Sequence, residues 1–214
     1  MEWTKRRGRT AATLIIAATL LAPSTSLAQT VDIGGHVAFY NPLGSLIDGP
    51  PIEKRLQAAL MVGVDAVAWT SSRVGFAGKV AYAPSRVAVI QARNVTDRDA
   101  SVILASARVL FAVTPVATGA GGVIPPWSVY VGAGAGLASR SGGVWSYASG
   151  LTSPALVLNV GVQTPAGPRI VMRMDLEDYI SRAQFDAGTP GETAAQRHHD
   201  VAISVSLSYR VRRR

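Results

Sequence analysis

From Val31 onward, apolar residues recur at every second position, the spacing of a strand with two unlike faces. The first such segment, 31–39, sets Val31, Ile33, Gly35, Val37 and Phe39 against Asp32, Gly34, His36 and Ala38. Seven more follow at 58–68, 74–82, 103–113, 127–137, 156–162, 170–177 and 201–209. Most run about nine to eleven residues, the length of a strand that crosses a bilayer at a tilt. Ordinary soluble strands average roughly five or six. Val87-Ala88-Val89-Ile90 prolongs the third strand beyond Pro84, with the proline at a bulge or rim. An even number of long two-faced strands predicts an all-β chain folded as an eight-stranded antiparallel up-and-down transmembrane β-barrel.

The two faces decide which side is wet. No charged residue falls on the apolar face of any of the eight segments, whereas the other face carries Asp32, Asp65, Lys79, Arg108, Arg173, Asp175 and Glu177. Asp200 and Arg210 continue that face at the ends of the last strand. A soluble lipocalin-like barrel would turn its apolar face inward and spread charge over the outside. Here long charged side chains stand among Gly, Ala and Ser, which suits a narrow polar lumen with lipid outside. The interior charges, four positive against five negative, predict a lumen plugged by ion pairs, with Arg173 and Arg108 as centres and Asp65, Asp175 or Glu177 as partners. Phe39, Tyr82, Phe111, Trp127 and Tyr209 lie on the apolar face at or near strand ends, and Trp69, Tyr40 and Tyr179 lie just beyond strand ends. That placement predicts two interfacial girdles, with Phe76 as the exception.

The connections alternate. Segments 40–57, 83–102, 138–155 and 178–200 read as long outer loops, and 69–73 and 163–169 as short turns, with 114–126 longer than a turn needs. Ahead of the strands, Lys5, Arg6, Arg7 and Arg9 precede an apolar run from Ala11 to Ala22, which Pro23 ends and Ser26-Leu27-Ala28 follows. This is the layout of a signal peptide over 1–28, leaving 29–214 as the mature barrel with both termini on the periplasmic side. The apolar run is too short to span a bilayer as a helix.

Composition removes several function classes. The chain has 214 residues, a net charge of +8 and only 16% charged residues. Basic residues crowd its two ends, so the charge describes the termini, and no nucleic-acid partner is expected. There is no cysteine, which excludes disulfides, thiolate metal sites and Cys nucleophiles. His198 and His199 are adjacent, and strand neighbours point to opposite faces, so they make no metal pair. His36 has Ala38, not a serine, as its neighbour on the same face, and His199 has no obvious serine partner, though Glu192 is near in sequence. No nucleophile–base pair emerges. Gly119-Ala120-Gly121-Gly122 lacks the Lys-Ser/Thr ending of a phosphate loop.

Three motifs carry a family resemblance. They are Tyr130-Val131-Gly132-Ala133-Gly134-Ala135-Gly136-Leu137, the strand Arg173-Met174-Asp175-Leu176-Glu177-Asp178-Tyr179, and the ending Val205-Ser206-Leu207-Ser208-Tyr209-Arg210-Val211. With the signal peptide and the eight segments, the chain resembles the small eight-stranded outer-membrane β-barrel proteins, the OmpA- and OmpW-like barrels. The resemblance covers 29–214 and marks architecture, not an activity. It implies residence in the outer membrane of a Gram-negative-type bacterium, contact with outer-membrane lipids, and the barrel-assembly machinery as a partner during biogenesis. The last strand of such barrels usually closes on an aromatic residue; this chain ends Val211-Arg212-Arg213-Arg214. The expected function is non-enzymatic, structural or surface-interacting, with no cofactor. Passive passage of small hydrophobic molecules through the wall and outer-membrane lipid modification remain as alternatives.

Overall fold

The structure is a computed structural model that describes residues 30–43, 52–91, 94–116, 126–142, 152–183 and 196–212. The expected signal peptide and its cleavage site lie outside the described residues.

Nine strand segments form one antiparallel sheet: β1 (Thr30–Leu43), β2 (Ile52–Leu56), β3 (Ala59–Trp69), β4 (Val74–Gln91), β5 (Asn94–Ala112), β6 (Ser128–Ser141), β7 (Thr152–Pro165), β8 (Ile170–Ala183) and β9 (Gln196–Arg212). β1 pairs with both β3 and β9, so the sheet closes on itself. β2 and β3 both pair with β4, and they are consecutive pieces of one wall strand. The barrel therefore has eight staves.

The step between those pieces is a bulge. Val62 pairs with Tyr82 but Leu56 pairs with Val87, so one wall gains a residue on its neighbour over Gln57–Ala58. Pro84 sits opposite, where it brings no N–H to the wall. The loose ends are met locally: the Ser85 hydroxyl donates to the Gln57 carbonyl at 2.7 Å, and the Gln57 N–H donates to the Arg86 carbonyl at 2.8 Å. The expected passage of the third strand through Pro84 is thus realised in β4.

Register fixes the shape. Partners followed round the ring run Ile33, Ala66, Gly78, Ala107, Ala135, Leu156, Ile180 and His199, and arrive at Leu43, ten residues above the start. A stagger of that size on eight staves tilts the strands by about 40° and leaves an interior that side chains fill.

The periodicity assigned every face correctly but stopped short at the strand ends. The sixth and seventh segments are each 14 residues long, as β7 and β8. Segment 83–102, expected as a long loop, is instead mostly hairpin, with β4 and β5 paired as far as Gln91 and Asn94. Part of expected loop 40–57 is β2. Polar residues on both faces, such as Thr152 and Ser153 on β7 and Ser181 and Arg182 on β8, end the alternation there, while Val87–Ile90 on β4 keeps the apolar run that prolongs the third strand.

Candidate functional site

The lumen is layered from bottom, where Thr30 and Arg212 lie, to top. At the bottom, Val67, Trp69, Ala77, Leu110, Ala112, Val116 and Tyr130 pack together, Trp69 edge-on to Tyr130 at 6.0 Å. At the top lies a second apolar cluster that includes Met61, Leu104, Val102, Val157 and Tyr179. The charged layer lies mainly between them. A uniformly polar lumen, expected from the Gly, Ala and Ser content, is therefore corrected: longer apolar side chains at inward positions cap the charges from both sides.

Inward aromatic rings explain part of the glycine content. Trp69 lies over its cross-strand partner Gly75, and a Cβ there would meet the indole at 2.7 Å. Tyr130 lies over its partner Gly161, where a Cβ would meet the phenol ring at 2.5 Å and Asp175 Oδ1 at 2.6 Å. Each ring fills the space its glycine leaves open.

In the charged layer, Arg173 on β8 donates to Asp32 at 3.1 Å, to Asp65 at 2.7 Å and to the Ser208 hydroxyl at 2.6 Å. Arg210 also holds Asp32, through Nε at 2.7 Å and a terminal nitrogen at 3.0 Å. Glu177, on the same strand as Arg173, takes Lys79 at 3.0 Å and Arg108 from the far wall. Lys79 reaches Ser204 as well, at 2.8 Å. Since β4 and β8 stand four staves apart, the Lys79–Glu177 contact crosses the full lumen. Asp175 differs from its neighbours: it accepts from neutral donors, the Tyr130 hydroxyl at 2.8 Å and the Asn159 amide at 2.9 Å. The cavity within this layer is about 10 Å³, room for a single water.

All eight lumen residues singled out from the sequence, Asp32, Asp65, Lys79, Arg108, Arg173, Asp175, Glu177 and Arg210, are buried inside the barrel. Of the expected partners, Asp65 joins Arg173 and Glu177 joins Arg108, while Asp175 turns to Tyr130 and Asn159. Sequence reading missed Arg140, which donates to Asp200 at 2.5 Å near the top, where the Tyr40 hydroxyl also donates to Asp200 at 2.5 Å. With Arg140 the buried charges among the described residues become five cations and five carboxylates. Its parity on β6 matches Ser128 and Tyr130, so extending segment 127–137 by three residues would have found it.

Phe39, Tyr82, Phe111, Trp127 and Tyr209 point outward and are exposed. Trp69, Tyr40 and Tyr179, expected in the same girdles, are 0%, 0% and 1% exposed and face inward. Parity decides this, not nearness to a strand end. Tyr179 bonds the Ser106 hydroxyl at 3.2 Å and Glu177 at 3.5 Å.

Two histidine constellations bear on catalysis. His36 pairs across the sheet with Ser206, and its Nδ1 lies 3.6 Å from Asp65 Oδ1. Serine, histidine and aspartate are thus neighbours, yet neither imidazole nitrogen nor the Ser206 hydroxyl has a hydrogen-bond partner, and all three residues are buried. A nucleophile must be bonded to its base and reachable by substrate; this arrangement is neither. His198 faces inward at the top, outside the apolar band, and burial followed by the nearby Arg140 pushes its ring below the ordinary imidazole range. His199 faces outward, and its Nδ1 lies 2.8 Å from Asp178, a carboxylate and not a serine. Among the described residues no group of three metal-ligating side chains forms.

A groove of about 510 Å³ lies at the bulge, lined by outward residues such as Ala58, Tyr82, Pro84 and Arg86 and by inward Ala59, Ser85 and Ala100. It is where the described wall pairing is interrupted.

The chain matches no protein-family model and no curated protein. Solved structures do resemble it. The outer membrane protein OprG from Pseudomonas aeruginosa is 11% identical over 87% of this chain and 97% of that one, with a TM-score of 0.62. Neisserial surface protein A is 11% identical over 85% and 97%, with a TM-score of 0.56. Outer Membrane Protein W of E. coli is 16% identical over 86% and 98%, with a TM-score of 0.50. The chain has the fold of the small outer-membrane β-barrels.

Proposed function

We propose that the chain is a non-enzymatic barrel of the outer membrane, exported by residues 1–28, with a structural or surface-interacting role and a plugged lumen. One observation supports the plug: Glu177 takes Lys79 and Arg108 from across the lumen, in a layer of balanced charge whose cavity is about 10 Å³. A pore that selects ions lines itself with charge of one sign and keeps water in it. Membrane residence draws on the outward face, where Val62, Val109, Val131 and Val205 are 55%, 51%, 44% and 45% exposed on a continuous apolar band. Outer-membrane lipids are the partners of that band, and the barrel-assembly machinery acts during biogenesis. Planar-bilayer recordings of the purified barrel test the plug. The expected trace has no steady conductance above background; large, regular steps overturn it.

A second reading, passage of small hydrophobic molecules sideways through the wall, is favoured by the groove at Gln57–Ala58, with the upper apolar cluster behind it. Uptake of an alkane by vesicles carrying the barrel, abolished by filling the groove with Ala58→Trp, would move this reading to first place. Uptake equal to that of empty vesicles removes it.

A further inference from the structure

The outward face is not free of charge where β8 and β9 outrun the apolar band. Arg182 and Arg197 are direct cross-strand partners, both exposed, and both have the parity of the outward residues below them. Like charges placed opposite one another repel. Elsewhere on the rim no such like-charge pair stands opposite: Arg86 faces Asp99 across β4 and β5 in register, Ser101 bonds Ser141 at 2.7 Å, and Ser139 bonds Thr152 at 2.9 Å. Neither Arg182 nor Arg197 meets an acidic side chain among the described residues. The nearest carboxylate on their face, Asp178, is engaged with His199 at 2.8 Å.

Height identifies the ligand. Ile180 and His199 are also direct partners, one pleat repeat below the arginine pair, and Leu176 and Ile203 form the next apolar pair but one. Arg182 and Arg197 therefore stand about 7 Å farther along their strands than Ile180 and His199, or about 5 Å higher at a tilt of about 40°. In a bilayer that is the depth of lipid phosphates, not of acyl chains or bulk water. Two guanidinium forks on adjacent strands match a phosphate, which accepts several charge-assisted hydrogen bonds at once. His199, its ring oriented by Asp178, lies beside them at the lower edge.

We propose that Arg182 and Arg197 form a binding site on the outer wall for the phosphate of a membrane lipid headgroup, with His199 and Asp178 as its lower border. Lipid phosphate supplies the negative charge that the repelling pair lacks and is held at the right height by its own acyl chains. The inference rests on the membrane-spanning reading proposed above.

The test uses the full barrel in phosphatidylcholine vesicles, with spin-labelled phosphatidic acid or spin-labelled phosphatidylcholine as the probe. The fraction of each probe immobilised at the protein is read by electron paramagnetic resonance. The expected result is a preference for phosphatidic acid of roughly fivefold per arginine at most. It falls to near parity in Arg182→Gln/Arg197→Gln and persists in Arg86→Gln, whose arginine stands opposite an acidic residue, Asp99, and not a second arginine. Heat-dependent gel mobility of each variant checks that the barrel is folded. Equal immobilisation of the two probes by the native barrel overturns the site while leaving the membrane reading intact. A preference unchanged in the double variant, or lost equally in Arg86→Gln, also overturns it, because general surface charge then accounts for the selection. If 10 mM inorganic phosphate abolishes the preference, the site takes free phosphate and the lipid assignment falls. If neither probe is immobilised, the membrane reading fails and the site with it.

Discussion

Removing the charge of Glu177 is the sharpest trial of the luminal network. Its carboxylate is 1% exposed and holds two cations, Lys79 and Arg108, which come from the opposite side of the barrel. Glu177→Gln keeps the size and one acceptor but leaves two buried cations facing a neutral amide. Stranding one partner of a buried pair costs about 3–5 kcal/mol. A typical fold has a stability of only about 5–15 kcal/mol, so the variant should unfold at visibly lower denaturant. Asp175→Asn is the matched control two residues away on the same face. It accepts from the neutral donors Tyr130 and Asn159, so its loss should resemble that of ordinary hydrogen bonds, about 1–3 kcal/mol. Adding Lys79→Met to Glu177→Gln removes one stranded cation and should recover about 1–3 kcal/mol. The assay is urea unfolding in lipid vesicles, followed by the gel mobility of folded and unfolded barrel. Equal losses at 175 and 177, or no recovery in the double variant, would refute charge pairing as what holds the layer.

Two further predictions concern the wall and the packing inside it. Val109→Arg puts a charge on the outward face near mid-height and should cost about 2–4 kcal/mol in the same unfolding assay; an unchanged midpoint would mean that this face does not meet lipid. Gly161→Ala drives a methyl into the Tyr130 ring, breaking its bond to Asp175 or its contact with Trp69, and should cost about 1–3 kcal/mol with a changed near-UV signal from the Trp69–Tyr130 pair.

What could be read from the sequence follows from the physics of a pleated wall. Alternation reports a residue's face directly, so the parity of Asp32, Lys79, Arg108 and Arg173 was legible without knowing the register. The partners were not, because pairing across a closed ring depends on stagger. Lys79 and Glu177 are 98 residues apart in the chain, and no local pattern joins them. Strand ends failed for a different reason. Near the upper rim polar residues occur on both faces, the period of two fades, and Arg140, Asp178 and Arg182 lie beyond the segments it marks. Tyr40, Trp69 and Tyr179 show the cost of arguing from nearness to a strand end instead of from parity, since each carries the inward parity of its strand.

The layering bears on what the barrel can pass. The charged layer has apolar clusters above and below it, so its groups interact through a poorly screening medium, and each carboxylate is met by a cation or, at Asp175, by two neutral donors. Arg140 brings the cations to five and so matches the five carboxylates. An ion entering along the axis must open one apolar cluster and then displace a partner from a contact such as Arg173–Asp65, buried on both sides. The wall at Gln57–Ala58 carries no such demand. Its Gln57 N–H and carbonyl are met by the Arg86 carbonyl and the Ser85 hydroxyl, and the residues that line the groove include alanines and a proline. The plug reading and the lateral-passage reading therefore respond to different substitutions. Loosening the plug with Glu177→Gln acts on ion leakage alone, whereas filling the groove with Ala58→Trp acts on hydrophobic solutes alone. A single substitution that changed both would mean that the two routes share a lumen, against the layered packing described here.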